Sequence, residues 1–525
     1  PSVSPPLSIP HDQPMTDTTL PALIQQMCQP GFYPHPVVEP IRLMQTHVSY
    51  VLLTGDYAYK VKKPVNFGFL DYSTLDQRRH FCAEELRLNQ RTAAALYLEV
   101  VPIGQAGDTY HLGGDPAVEY AVKMVQFPQD TLLSALYERG ELTEELIRTL
   151  AETVAAFHQA AETNDHIRRF GTVAQIRQAF DENYAQTQGY VGGPQTQAQL
   201  DQTQAATDHI FATQADRFQQ RIDQQRIRAC HGDLHLNNLC YWQNHLYLFD
   251  CIEFNEPFRY VDVMYDVGFV VMDLLAKDCR PLATAFLNHY VEQTGDWEGL
   301  PLLPLYISRQ AYVRAKVTSF LLDDPAIDAT AKAQASDTAA AYYRLAWDVV
   351  QPQTGQLYLM AGLSGSGKST TARAVARQTG ALHLRSDAVR KHLAGVPLLE
   401  RGDQSLYSPE MTQNTYDRLL DLGLTLAQAG FTVILDAKYD RQALRQAALT
   451  KAQAAGLAAH ILHCTAPLAL LEDRVRQRSG DIADANVAVL QQQVMEPFTE
   501  AEQPWVKTVD TTGDVSDQIA AIVGA

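Results

Sequence analysis

Two short stretches of this chain carry residue types and spacings that could handle a phosphoryl group. In GLSGSGKST, the residues Gly362, Leu363, Ser364, Gly365, Ser366, Gly367, Lys368, Ser369 and Thr370 satisfy the Walker A pattern G-x-x-x-x-G-K-[ST] completely. Glycines there let backbone amides turn inward around phosphate oxygens, and the helix that follows presents its positive end to them. Lys368 would reach the β- and γ-phosphates, and the Ser369 hydroxyl would ligate Mg²⁺. Much earlier stands HGDLHLNN, His231 to Asn238. As H-x-D-x-H, its His231, Asp233 and His235 could form part of a metal site, because imidazole and carboxylate suit zinc. As H-G-D-x-x-x-x-N, it sets Asp233 five residues before Asn238.

The context of the first stretch points to chemistry beyond binding. In open α/β sheets ligands collect outside the carboxyl ends of the strands, and there the sequence places Asp387 after ALHLRS and Asp436 after FTVIL. Asp387 and Arg390, three apart at a helix start, share a face. The carboxylate could accept a proton from a substrate hydroxyl while the guanidinium grips the substrate. Helix capping, which Ser386 could also supply, is the other reading of Asp387. Asp436 reads as the Mg²⁺-side carboxylate of a Walker B strand. In LLEDRVRQRSGD, Arg474 and Arg478 fall on one helical face. They would close over a transferring phosphoryl group and offset its charge, or else form a solvated basic face. Together GLSGSGKST, RSDAVRK, VILDAKYDR and this arginine-rich segment resemble the small P-loop kinases that include zeta toxins, gluconate kinases and the kinase domain of polynucleotide kinases. The resemblance covers residues 355–525 and implies Asp387 as general base and Arg390 as a substrate contact.

For the second stretch the company decides between the two readings. H-G-D-x-x-x-x-N matches the kinase loop H-R-D-L-x-x-x-N. Twelve residues beyond Asn238, the strand-like LYLF delivers Asp250, where a kinase places its second Mg²⁺ ligand. Upstream, YAYKVK has the A-x-K form that makes Lys60 the phosphate-pairing lysine, with Lys62 pointing the same way along the strand. A helix follows with Glu84 and Glu85, either of which could pair with Lys60; Glu85 is the expected partner. A zinc site would need none of that order. Residues 40–345 resemble the aminoglycoside phosphotransferase family, which shares the protein-kinase-like fold, on the strength of HGDLHLNN and LFDCIEFN. The resemblance implies Asp233 as catalytic base, with Asn238 and Asp250 holding Mg²⁺. One departure is that THVSYVLLTGDYAYK lacks a G-x-G-x-x-G loop. RYVDVMYDVGFVVMDLLA, nearly all apolar with Asp262, Asp266 and Asp273 spaced along it, reads as a core helix under the site. The alternative is that these carboxylates face a cationic substrate.

These residues must be positioned by two different architectures. VSYVLLT and YAYKVKK are strand-like, TLDQRRHFCAEELRLNQRTAA is helix-like, and Leu142, Leu146, Leu150, Val154 and Phe157 fall on one helical stripe. After the linker-like QPQTGQ the period changes. LYLMA, ALHLR, FTVILD, AAHILHC and KTVDT alternate with helical segments, the pattern of a doubly wound parallel sheet. The expected architecture is an α+β two-lobed kinase-like domain over 37–350, then an α/β P-loop NTPase domain over 351–525 with a mostly parallel five-stranded sheet. The proline-rich, polar start predicts a disordered or extended lead-in over 1–36.

Composition narrows the class further. Apolar residues make up 46% and charged residues 19% of the 525, and no stretch is long enough for a membrane span. The start has no basic region followed by an apolar core, so no secretory leader is expected. Seven cysteines without a C-x-x-C pair suit a reducing cytoplasm. A formal charge of −18 works against a nucleic-acid partner. The sequence therefore reads as a bifunctional kinase that uses ATP and Mg²⁺ on hydroxyl groups of small molecules. The alternatives are that one domain is a nucleotide-sensing or ATPase module regulating the other, or that the P-loop domain is a nucleic-acid end kinase.

Overall fold

Lys60 and Lys62 lie on one face of a strand whose other face is buried in an apolar layer. The computed structural model describes residues 20–325, 327–400, 402–477, 482 and 487–524. The chain forms two compact units: one of residues up to Leu142 with Ala156–Lys277 and Leu305–Val350, the other of Thr143–Ala155, Asp278–Pro304 and Gln351–Ala525.

In the first unit, strands β1 (Arg42–Gln45), β2 (Ser49–Leu53), β3 (Tyr57–Lys62), β4 (Tyr97–Ala106), β5 (Thr109–Leu112) and β6 (Glu119–Val125) form an antiparallel sheet in the order β1-β2-β3-β6-β4-β5. Tyr59 and Val61 of β3 pack with Leu52, Ile103 and Ala121 on one face, so Lys60 and Lys62 take the other. Ile24 and Met27, from the short helix Ala22–Met27, complete that apolar layer. Residues 20–36 of the expected disordered lead-in are therefore folded; two apolar side chains one turn apart have a sheet face to cover. Residues 1–19 lie outside the described residues. Against the lysine face runs the helix Leu75–Ala93, started by a reciprocal Thr74–Gln77 capping box.

Two short strand pairs follow in the same unit, β7 (Ile227–Ala229) with β10 (Tyr260–Asp262) and β8 (Leu239–Trp242) with β9 (His245–Leu248), and an isolated bridge joins Leu132 to Cys240. The helix Val263–Ala276 is buried along almost its whole length. Asp262 caps its start by accepting from Met264 N at 3.0 Å, and also takes two bonds from Arg221, at 2.8 and 2.6 Å.

The second unit is built on β11 (Gln356–Ala361), β12 (Leu382–Arg385), β13 (Thr432–Asp436), β14 (Ala458–Thr465) and β15 (Val506–Asp510). All pair in parallel, in the order β12-β13-β11-β14-β15. β12 is an edge strand, and its outward backbone is satisfied by a side chain: Asn288 Nδ2 donates to Ala381 O (2.9 Å) and its Oδ1 accepts from His383 N (2.8 Å). Among the described residues no helix is long and apolar enough to cross a membrane.

Asp262→Ala removes both bonds to a guanidinium that is only 1% exposed. It should cost the first unit about 3–5 kcal/mol in denaturant unfolding, while Arg139→Ala, which breaks the exposed pair with Glu141, should leave the unfolding midpoint almost unchanged. Equal losses would show that the buried pair carries no special weight.

Candidate active sites

In the first unit the side chains of β3 meet the helix Leu75–Ala93 and the loop after β9. Lys60 Nζ lies 2.8 Å from Glu85 Oε1 and 2.7 Å from Asp250 Oδ1. Glu84, one residue away and so turned by about 100° around the helix, pairs instead with Arg87 at 2.7 Å. Burial opposes ionisation of Glu85, yet the ammonium groups of Lys60 and Lys62 hold its carboxyl down to about 2.

The 231–238 loop is hydrogen-bonded to the chain on both sides of Asp250. Phe249 N donates to Asn238 O (3.0 Å) and Ile252 N donates to His231 O (3.1 Å). Asp250 itself has a left-handed backbone, φ +61°, a conformation open to few residues besides Gly, Asn and Asp. Asn238 Nδ2 donates to Asp233 O (3.0 Å) and to Asp233 Oδ2 (3.2 Å). Burial works against the charge of Asp233, but His235, 3.4 Å from its carboxylate, holds it at about 2, so it is ionised at neutral pH.

His231 is taken up by structure. Its Nε2 faces Phe249 O at 2.9 Å and therefore carries the proton, while Nδ1 accepts from Asp233 N at 3.3 Å. That leaves no lone pair for a metal, and the H-x-D-x-H zinc reading fails on this geometry. The acids of the helix Val263–Ala276 hold the loop from beneath. Asp266 accepts from His231 N (2.7 Å) and Gly232 N (2.9 Å), and Asp273 accepts from Leu236 N (2.9 Å). Asp266 also meets His158 Nε2 at 3.2 Å, and Asp273 meets Lys277 Nζ at 2.9 Å. These carboxylates anchor backbone rather than face a cationic substrate. In place of a glycine-rich loop, β1 and β2 are joined by a tight turn in which Thr46 Oγ1 accepts from Ser49 N at 2.9 Å.

In the second unit the glycine-rich loop joins β11 to the helix Lys368–Thr379, with Gly362, Gly365 and Gly367 at φ +140°, +79° and +86°. Side chains at these positions would be strained, and a Cβ at Gly365 would fall 2.6 Å from Leu471 O. Lys368 Nζ donates to Leu363 O at 2.8 Å, folded back along the loop. Ser369 and Thr370 lie in the helix's first turn. Asp436 ends β13 beside β11 and meets His383 Nε2 at 2.9 Å. Burial opposes its charge, but the bond from His383 keeps the carboxyl well below its usual range.

The remaining residues singled out from sequence lie on other segments, of which Arg474 touches this loop. The helix Ser386–Ala394 is capped by Arg385, which puts Asp387 in the first turn rather than at the cap. Arg390 is 7% exposed; it donates to Leu406 O at 3.2 Å and stacks on the Tyr407 ring. Arg474 donates to Gly365 O (3.3 Å) and Thr511 Oγ1 (3.0 Å), fastening the loop to the end of β15. Arg478 lies outside the described residues. Sequence reasoning missed His383 and Gln493, whose side chain accepts from Ser364 N and donates to Ser364 Oγ. A lone histidine inside the apolar run ALHLR was the available signal for the first; nothing local marked the second.

These sites define a phosphotransferase domain joined to a P-loop kinase domain. Residues 78–303 match the Phosphotransferase enzyme family, and residues 357–497 match an AAA domain. The chain is 31% identical over 461 residues to an uncharacterized protein of Mycobacterium tuberculosis (strain H37Rv), covering 87% of this chain and 90% of that protein. It belongs to the same family as that protein. Similar solved structures include the APS kinase of Mycobacterium tuberculosis in complex with AMPPNP and APS, at 22% identity and TM-score 0.26 over 33% of this chain and 98% of that one. A choline/ethanolamine kinase family protein from Mesorhizobium loti matches at 10% identity and TM-score 0.38, over 63% of this chain and 99% of that one.

With its carboxyl at about 2 in the fold and 4.5 ordinarily, Glu85 stabilises the folded state above pH 4.5, and that contribution is lost as the pH falls through 2. Glu85→Gln should lower the urea midpoint at pH 7 and give a shallower fall below pH 4.5. An acid limb identical to the parent's would show that Glu85 contributes no such linkage.

Proposed function

We propose that this chain is an ATP- and Mg²⁺-dependent kinase of the cytoplasm that phosphorylates hydroxyl groups of small molecules, with a transfer site in each unit. The observation that carries the reading is the assembly of Lys60, Glu85, Asp233, Asn238 and Asp250 around hydrogen-bonded segments of the first unit. Lys60 would bind the nucleotide phosphates, oriented by Glu85. Asp233, ionised, would accept the proton of the acceptor hydroxyl as its oxygen attacks the γ-phosphorus and ADP departs. The Asn238 amide oxygen and the Asp250 carboxylate are hard oxygen donors of the kind Mg²⁺ takes. When bound, the cation would neutralise phosphate charge.

In the second unit the loop amides of 362–370 and Lys368 would cradle phosphates, while Ser369 and Asp436 offer hydroxyl and carboxylate oxygens to Mg²⁺. Asp387 would serve as base for the acceptor hydroxyl, with Arg390 toward the substrate and Arg474 and Arg478 toward the phosphoryl group. The fastening of Arg474 to Gly365 O supports a role in holding the loop's shape.

γ-labelled ATP incubated with a metabolite extract should yield labelled acceptors identifiable by mass spectrometry. Asp233→Asn should abolish labelling by the first unit and leave nucleotide affinity within about threefold; transfer at the parental rate would refute its role as base. Asp387→Asn should cut transfer by the second unit ~10²–10⁴-fold with nucleotide binding retained, whereas Lys368→Ala should remove nucleotide binding by that unit. If the parent only hydrolyses ATP with every acceptor pool, the kinase reading fails.

A further inference from the structure

Lys62 has no part in the transfer chemistry above, yet it is the more deeply buried of the two lysines on β3: 1% exposed against 15% for Lys60. Burying an ammonium group is costly unless its three donors are satisfied. Here all three are. Lys62 Nζ donates to Glu85 Oε2 at 2.6 Å, to Tyr72 Oη at 3.3 Å, and to Glu253 Oε1 in a close ion pair. The Tyr72 hydroxyl donates to the same Glu253 oxygen at 2.5 Å. Glu253 is 6% exposed and stands three residues beyond Asp250.

Two struts therefore join β3 to the segment 250–253, and they differ in access. Lys60–Asp250 is the open one, since Asp250 is 44% exposed. Lys62–Glu253 is sealed, with Glu85 shared between the two lysines through its separate oxygens. A lysine held on Asp250 competes with a divalent cation for that carboxylate. Lys60 turning to the nucleotide phosphates, as proposed above, would remove the open strut. The sealed strut then remains to tie the 250–253 segment to β3, beside the bonds of its backbone to His231 O and Asn89 Oδ1.

We propose that Lys62, with Glu253 and Tyr72, is a positioning group that holds the Asp250 carboxylate in place for a divalent cation once Lys60 has released it. This rests on the kinase reading of the first unit. Lys62 touches no reacting atom; its effect passes to Asp250 through Glu253 and the backbone, and to Lys60 through the shared Glu85.

The test uses the full chain carrying Lys368→Ala, so that only the first unit reports, and titrates Mg²⁺ against binding of the non-hydrolysed probe AMP-PNP by calorimetry. Lys62→Met and Glu253→Gln should each raise the Mg²⁺ concentration for half-maximal binding ~10–100-fold, as loss of groups that orient a metal ligand does. In Glu253→Gln, which leaves Glu85 and Lys60 in place, binding of AMP-PNP without Mg²⁺ should move less than about threefold. The double variant should be no worse than either single one, because both break the same ion pair. Glu253→Gln is nearly isosteric and keeps the test open should Lys62→Met fail to fold. A fall in thermal midpoint with an unchanged Mg²⁺ midpoint would mean that the cluster is only structural, and would overturn the proposal. If the Lys368→Ala parent binds no Mg²⁺–AMP-PNP at all, the kinase reading of this unit fails and takes the inference with it.

Discussion

One buried carboxylate, Asp266, accepts the backbone amides of two consecutive residues, His231 and Gly232. Much of the first unit's site depends on this pair of bonds. A buried anion needs compensation, and successive amides supply it only when the backbone takes one particular course. That course sends the His231 ring toward Phe249 O and presents Asp233 beside Asn238. Gly232, at φ +87°, is the residue that allows the bend, and a Cβ there would meet Phe258 O at 2.6 Å. The acidic residue is thus the fixed point, and the loop is draped over it.

The second unit reaches a similar end by other means. Its loop is shaped by glycines with positive φ and then tied from outside, by Arg474 and Thr511 at Gly365 and Ser366 and by Gln493 at Ser364. Asp436 is steadied by a histidine from the neighbouring strand. In both units a charged side chain is held by polar neighbours, which restricts its motion before any ligand arrives.

Legibility followed sequence distance. The glycine-rich loop is nine consecutive residues, so its type and the strand and helix around it could be read directly. The five parallel strands of the second unit announced themselves as apolar runs between helical periods, and all five are present. Choosing Glu85 over Glu84 depended on the phase of one helix. What sequence could not supply was the long-range partner: Asp266 under His231, Gln493 on Ser364, and Glu253 on Lys62 lie 35, 129 and 191 residues apart. Within the described part of the lead-in, the helix Ala22–Met27 was hidden for the opposite reason. Local polarity and prolines outweighed Ile24 and Met27, whose burial depends on strands that come later.

The interleaving of the two units along the chain has a consequence for biosynthesis. Thr143–Ala155 and Asp278–Pro304 belong to a unit whose sheet is encoded entirely after Val350, while Leu305–Val350 returns to complete the other. A ribosome releases the N-terminal part first, so these helical stretches emerge before the strands they serve exist. Asn288 has no β12 edge to satisfy until Leu382–Arg385 has been made. The nascent chain therefore carries these stretches without their partner strands until synthesis has passed Val350.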